Sequence, residues 1–350
     1  MSAVAVRPNA AARRASLRTA ACAALLGAAA LVHAPAHGNA DAPLAERLSD
    51  TGLYATGSTT QTRPGVFAFA PQHALWSDGA DKQRWIALPP GASIDASDPD
   101  AWQFPPGTRL WKEFSHAGRR IETRTIERLR DGSWRYATYL WRDDGRDALL
   151  APASGVSAWP VAQAPGGRYT VPSRTDCTGC HDGAASPVLG FSALQQSPAL
   201  GELVALGMLR DLPPALLNEA PRIAARTATE LTALGYLHAN CGHCHNRSGA
   251  GVPVRLTLAQ SAIDPEGSRA ATMASAVGAG GRFRTPAWPD ATHLIEPGAP
   301  ARSTLALRMG SRDPRLQMPP LGSHVADDAG LRLIERWIED LSVEPRSVTP

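Results

Sequence analysis

Apolar and polar positions alternate through much of the first half of this 350-residue chain. Residues 109–114 read Arg-Leu-Trp-Lys-Glu-Phe, and the alternating runs 120–130 and 133–141 are joined by Asp131-Gly132. Two such runs joined by Asp-Gly predict a β-hairpin. Four Pro-Gly pairs interrupt the surrounding sequence, as turns do between short strands. We therefore predict an antiparallel β-rich domain over 41–175, built like a sandwich or a barrel.

Helical spacing replaces this alternation after residue 176. Apolar residues recur at helical intervals over 197–210. Thr227-Ala-Thr-Glu230 has the form of a capping box and predicts a helix that runs into Cys241. Residues 246–300 show no periodicity, and we predict loop there.

The sequence predicts one further amphipathic helix after residue 326. Asp327 or Asp328 is placed to cap it, and its apolar positions share one face. The expected fold class is α+β. The β-rich domain precedes a segment over 176–226 and a helical domain over 227–345.

Tryptophan is concentrated in the β-rich part, where seven of the nine lie between Trp76 and Trp159. Large aromatic side chains stabilise sheets through core and cross-strand packing. We therefore predict that these residues form the core of the domain rather than a binding platform.

The first forty residues have the pattern of a cleaved export signal. Four arginines precede the apolar stretch Ala20–Val32, and Ala34-Pro-Ala36, or alternatively Ala40, offers a cleavage site. The stretch is shorter than the roughly 20 residues that a membrane anchor needs. Removing residues 1–40 changes the formal charge from +3 to −1, so no nucleic-acid partner is expected. We predict a signal peptide over 1–40 and a periplasmic protein.

Four of the five cysteines lie in two Cys-x-x-Cys-His motifs, Cys177-Thr-Gly-Cys180-His181 and Cys241-Gly-His-Cys244-His245. This motif is the attachment site of c-type haem. The thiols add to the porphyrin vinyl groups, and the histidine becomes an axial ligand of the iron. The sequence therefore predicts two covalently attached haem c groups, with His181 and His245 as iron ligands.

The second motif has the surroundings of a small cytochrome c domain. A helix leads into it, and Met318-Pro-Pro followed by an amphipathic helix comes after it. Met318 is the expected distal ligand, because it stands where this order of elements places one. A thioether opposite His245 would raise the reduction potential.

The sequence does not single out one distal ligand for the first predicted haem. Met208 follows the first motif on an apolar helical face, and Met309 and Met273 are further candidates. Three histidines are also possible: His73, His116 and His238. A sixth position without a protein ligand is another alternative, and it would allow chemistry at the iron.

The alternative cofactor is zinc, because two Cys-x-x-Cys pairs can supply four thiolates. Three features oppose it: the histidine after each pair, the export signal, and the Met-Pro-Pro with its terminal helix.

The chain resembles a family of bacterial dihaem c-type cytochromes over most of residues 41–350. The phrases that carry the resemblance are Leu48-Ser-Asp-Thr-Gly-Leu53, Leu75-Trp-Ser-Asp-Gly-Ala-Asp-Lys82, Trp102-Gln-Phe-Pro-Pro-Gly-Thr108, Asn240-Cys-Gly-His-Cys-His245 and Met318-Pro-Pro320. The resemblance implies an exported dihaem protein with a β-rich N-terminal region. A second likeness, through Phe104-Pro-Pro-Gly-Thr108 and Lys112, is to enzymes that oxidise hydroxylamine at a lysine-cross-linked c-haem.

Two functions follow from these expectations. The first is electron transfer, with a redox protein in the periplasm or at the inner membrane as partner. The alternative is a haem enzyme that acts on a small molecule at a five-coordinate first haem, with the second haem as electron conduit.

Overall fold

A six-stranded antiparallel sheet forms the β-rich half of the molecule. The computed structural model describes residues 42–247 and 254–341, and the predicted signal peptide lies outside them. Within these residues the strands are β1 Val66–Ala68, β2 Asp81–Ala87, β3 Ile94–Asp95, β4 Arg109–His116, β5 Arg119–Arg128, β6 Trp134–Trp141, β7 Ala148–Leu150, β8 Val156–Pro160, β9 Arg168–Val171 and β10 Leu209–Arg210. The sheet order is β1-β2-β4-β5-β6-β7, while β8 pairs with β9 and β10 with β3.

The predicted hairpin is confirmed as β5 and β6, with Glu127 opposite Arg135 and Asp131-Gly132 in the turn. Gly132 has a φ of 86°, a left-handed conformation that glycine adopts without steric cost.

The sheet is a single meander. The N-terminal segment packs on one face and helices pack on the other, while the small β8–β9 sheet shares a third cluster with Ile121 of β5.

Tryptophans pack one face of the sheet, as predicted from the sequence. Trp85 and Trp111 are directly opposite each other on β2 and β4, and both are buried. They form a core cluster with Trp141 and with Leu48 and Leu53 of the N-terminal segment. Because successive residues of a strand point to opposite faces, the next residue pair, Ile86 and Leu110, belongs to the other face and to the main core.

The helices follow the sheet along the chain. They are α1 Arg174–His181, α2 Leu200–Ala205, α3 Ala215–Asn218, α4 Ala228–Asn240, α5 Pro265–Ala276, α6 Thr304–Gly310 and α7 Asp328–Asp340. Two predictions are confirmed: the Thr227 side chain caps α4, and the Asp327 side chain caps α7. The fold is therefore a mixed α+β fold, and no helix in the described part of the chain is long and apolar enough to cross a membrane.

Two predictions of helix and loop were wrong. The helix expected over 197–210 is only the six-residue α2 after a 3-10 turn, because Gly207 takes a φ of 68° and the chain then enters β10. The loop expected over 246–300 contains α5, which Asp264 caps with Pro265 in the first turn. The buried positions of α5 are mostly polar, so apolar periodicity could not reveal the helix.

The main core joins the sheet to the helices. It contains buried residues from each of the three predicted segments: Ile86 and Trp102, then Phe191 and Leu200, then Leu234 and Trp337. Helix α4 packs directly against α7, which positions the chain that follows α4.

Candidate functional site

The first Cys-x-x-Cys-His motif lies within α1, although the sequence offered no helix leading into it. Ser173 begins this helix with a reciprocal capping box, in which its hydroxyl accepts from the Asp176 amide and the Asp176 carboxylate accepts from Ser173. Residues three and four apart share one side of a helix. The helix therefore presents Cys177, Cys180 and His181 together.

The second motif follows α4 without an intervening loop. Cys241 is the C-terminal cap of α4, and the His245 amide donates to the Cys241 carbonyl at 2.8 Å. The His245 carbonyl in turn accepts from the Leu258 amide at 2.8 Å. These two hydrogen bonds fix the backbone turn that contains the second motif.

The structure brings the two motifs into direct contact. The Asn246 side-chain amide donates to the Gly183 carbonyl at 2.8 Å, just after the first motif. The same nitrogen lies 3.1 Å from the Gly242 carbonyl and 3.0 Å from the His243 carbonyl of the second motif. Asn246 thus ties together two segments that are some sixty residues apart in the sequence.

Both motifs open onto one cavity of about 640 Å³, a volume within the roughly 300–1,000 Å³ of small-molecule sites. The cysteine, histidine and methionine residues in its wall are Cys177, Cys180, His181, Cys241, His243, Cys244, His245, Met309, Met318 and His73. The predicted attachment residues and Met318 therefore share a single cavity.

Most of the other residues predicted as candidate ligands lie away from this cavity. Met208 belongs to the main core, where its carbonyl accepts from the Ile94 amide, and Met273 packs against the same core. His116 is buried beside Tyr169, and His238 Nδ1 accepts from the Gln260 amide at 3.0 Å. Of the six residues predicted as candidate ligands, Met309 and His73 line the cavity.

The surroundings of His181 favour a neutral ring with one defined tautomer. Its Nδ1 lies 2.6 Å from the Pro187 carbonyl oxygen, and because a carbonyl only accepts, Nδ1 must carry the proton. The other ring nitrogen, Nε2, is then unprotonated and has a free lone pair. Burial lowers the pKa of His181 to about 4, which keeps the ring neutral, and Tyr136 lies against it with 5.2 Å between the ring centroids.

The four thiols are neither disulfide-bonded nor gathered for zinc. All four motif cysteines are free. Burial raises the pKa of Cys180 to about 11 and of Cys241 to about 12. No three His, Cys, Asp or Glu side chains within residues 42–247 and 254–341 come close enough to hold a metal ion. The zinc alternative therefore has no geometric support in this part of the chain.

Sequence reasoning missed the cationic wall of the cavity. Arg84, Lys112 and Arg124 line it from three strands. Alternation along each strand indicates which face these residues are on. Arg84, Lys112 and Arg124 are each two positions from an apolar residue of the core-facing side, namely Ile86, Leu110 and Ile126. Only the register between the strands brings them side by side.

Comparison with known proteins gives this chain no relative: no family model, curated protein or solved structure matches it.

Proposed function

We propose that this protein is an exported dihaem c-type cytochrome that transfers electrons. The observation that carries the proposal is the meeting of two Cys-x-x-Cys-His motifs, distant in sequence, at one cavity. Bound haem supplies a one-electron couple at its iron, while the protein supplies attachment, axial ligands and burial.

The donor set of the cavity fits two such groups. Cys177 and Cys180 on α1 would hold one haem, and Cys241 and Cys244 after α4 would hold the other. His181 and His245 would each supply an imidazole nitrogen to the iron of the haem attached beside it. The neutral state of His181 and its Nδ1 hydrogen bond to Pro187 leave Nε2 available for a metal, an orientation that such second partners commonly impose on ligating histidines.

Met318 is the proposed distal ligand of the second haem. It lines the cavity together with His245, and its amide donates to the Arg308 carbonyl at 2.9 Å, which anchors the Met-Pro-Pro segment to α6. A thioether ligand favours the reduced iron, as suits a carrier. The proposed partner is a redox protein in the periplasm or at the inner membrane.

The test is a haem count combined with optical spectra of the purified protein. Two covalent haems are expected, with a far-red charge-transfer band of the ferric protein that reports methionine ligation. Met318→Ala should abolish this band and leave both haems attached. Met273→Ala is the control, because Met273 packs against the main core outside the cavity wall, and it should keep the band. A protein without covalent haem, or an unchanged band in Met318→Ala, would contradict the proposal.

A second candidate function is catalysis at the first haem. It is favoured by the wall beside the first motif, where Lys112 and Arg124 line the same cavity as Cys180 and His181. Neither side chain is a common haem ligand, and an open sixth position would bind a small molecule. Carbon monoxide binding to one of the two reduced haems is expected for such an enzyme. Two low-spin haems that do not react with carbon monoxide would exclude it.

A further inference from the structure

A row of three cationic side chains crosses the sheet wall of the cavity. In the register of the sheet, Arg84 on β2 is opposite Lys112 on β4, and Lys112 is opposite Arg124 on β5. All three line the cavity. Like charges directly opposite each other on neighbouring strands destabilise a sheet, so the arrangement calls for a counter-charge.

The protein supplies only part of that counter-charge. Arg124 forms an ion pair with Glu122, which is fully buried and also accepts from the Tyr169 hydroxyl at 2.7 Å. Within residues 42–247 and 254–341, neither the Arg84 guanidinium nor the Lys112 ammonium has a hydrogen-bond or ion-pair partner. The Lys112 nitrogen instead lies 4.9 Å from the centroid of the Phe114 ring.

The three carboxylates that line the cavity have hydrogen-bond partners other than Arg84 and Lys112. Asp176 belongs to the capping box of α1, Asp182 accepts from the Tyr136 hydroxyl at 3.3 Å, and Asp327 caps α7. Burial and the neighbouring cations hold the pKa of Lys112 well below its ordinary value, and burial lowers the pKa of Arg84 to about 10. Among the described residues Arg84 and Lys112 therefore have no carboxylate partner, and an anion bound beside them would favour their charged forms.

We propose that Arg84, Lys112 and Arg124 form a carboxylate-binding site on the sheet wall of the cavity. The planar guanidinium of Arg84 matches a carboxylate through paired hydrogen bonds, and Lys112 and the ion-paired Arg124 add positive charge beside it. The carboxylate has two possible sources. One is a propionate of a haem held by the motifs, in which case the site rests on the proposed function. The other is a small carboxylate that diffuses into the cavity.

The experiment compares the wild type with Arg84→Gln and Lys112→Gln. Arg119→Gln is the matched control, because Arg119 is on β5 but pairs with Asp143 at the far end of the strand. Lys112→Arg keeps the charge and should behave like the wild type. Acetate is titrated by calorimetry at constant ionic strength. In parallel, resonance Raman spectra record the propionate bending bands of the haem-loaded protein, and circular dichroism verifies that each variant is folded.

If the carboxylate is diffusible, the wild type binds acetate, and either glutamine variant weakens binding by about tenfold or more, the loss expected for one charge-assisted hydrogen bond. If it is a propionate, acetate does not bind, and the bending bands shift in both glutamine variants but not in Arg119→Gln. Absence of both effects overturns the carboxylate site. A separate haem count tests the proposed function, and in a protein without haem the acetate titration alone decides.

Discussion

Lys82 is a single residue whose charge state changes within a convenient pH range. Its ammonium donates to the Leu75 carbonyl at 2.9 Å. Burial, reinforced by the charge of Arg84, lowers the pKa of Lys82 from 10.5 to about 8. Between these two values the unfolded chain retains a proton that the folded protein has released. The contribution of Lys82 to the free energy of unfolding therefore rises with pH across this interval, and below pH 8 the full cost of the buried charge remains.

We expect Lys82→Met to remove this contribution. Between pH 8 and 9.5 the wild type should gain on the order of 1 kcal/mol more than the variant, after allowance for the partial exposure of the side chain. Urea unfolding at both pH values measures the difference. The window ends below pH 10, where unfolded tyrosines begin to ionise. An equal gain in both proteins would show that Lys82 is not the group responsible.

At the scale of elements, α1 depends on its N-terminal cap because its residues are at most half-buried. Ser173→Ala removes the hydroxyl that accepts from the Asp176 amide. It should cost about 1 kcal/mol of unfolding free energy in urea titrations. Ser173→Asn keeps an oxygen acceptor and should recover most of the loss. If asparagine were as destabilising as alanine, capping would not explain the effect.

Helices α4 and α5 are joined by a buried ion pair between Glu230 and Arg269, with 2.5 Å between the charged groups. Arg269→Leu leaves the Glu230 carboxylate buried without this partner and should cost about 3–5 kcal/mol. The double variant Glu230→Gln, Arg269→Leu removes the stranded charge and should be more stable than Arg269→Leu alone. Thermal or urea unfolding measures both. A double variant that is less stable than the single variant would contradict this account.

Elements with strong local signals could be predicted, and those determined by tertiary contacts could not. The hairpin of β5 and β6 and the caps of α4 and α7 are encoded by adjacent residues. Helix α5 was missed because its buried face includes Ser268, Arg269 and Thr272, which pair with groups elsewhere in the fold or lie in polar surroundings.

The candidate site also combines features that the sequence indicates with features that only the fold creates. The two motifs and Met318 are visible as spacings in the sequence, and the cavity contains all of them. The contact of Asn246 with Gly183 and the row formed by Arg84, Lys112 and Arg124 depend on how distant segments meet. No local pattern specifies such a register, so these features emerge only with the fold.

At the scale of the whole molecule, the sheet and the helices share one main core. Ile86 and Leu110 of the sheet belong to the same buried cluster as Leu234 of α4 and Ile334 of α7. A sheet that unfolded alone would expose the apolar faces of these helices, and the reverse is also true. We therefore expect the described part of the chain to unfold as one cooperative unit rather than as separate β-rich and helical domains.

Two probes and one variant test this expectation. Tryptophan fluorescence reports mainly on the sheet, since seven of the nine tryptophans lie between Trp76 and Trp159, whereas far-UV circular dichroism is dominated by helices. Their urea midpoints should coincide. Ile334→Ala removes a fully buried side chain of α7 and should cost about 2–5 kcal/mol. Because the core is shared, this change should lower both midpoints equally. If only the dichroism midpoint moved, the sheet would be stable without the helices, and the cavity between them would be an interface of two independent domains.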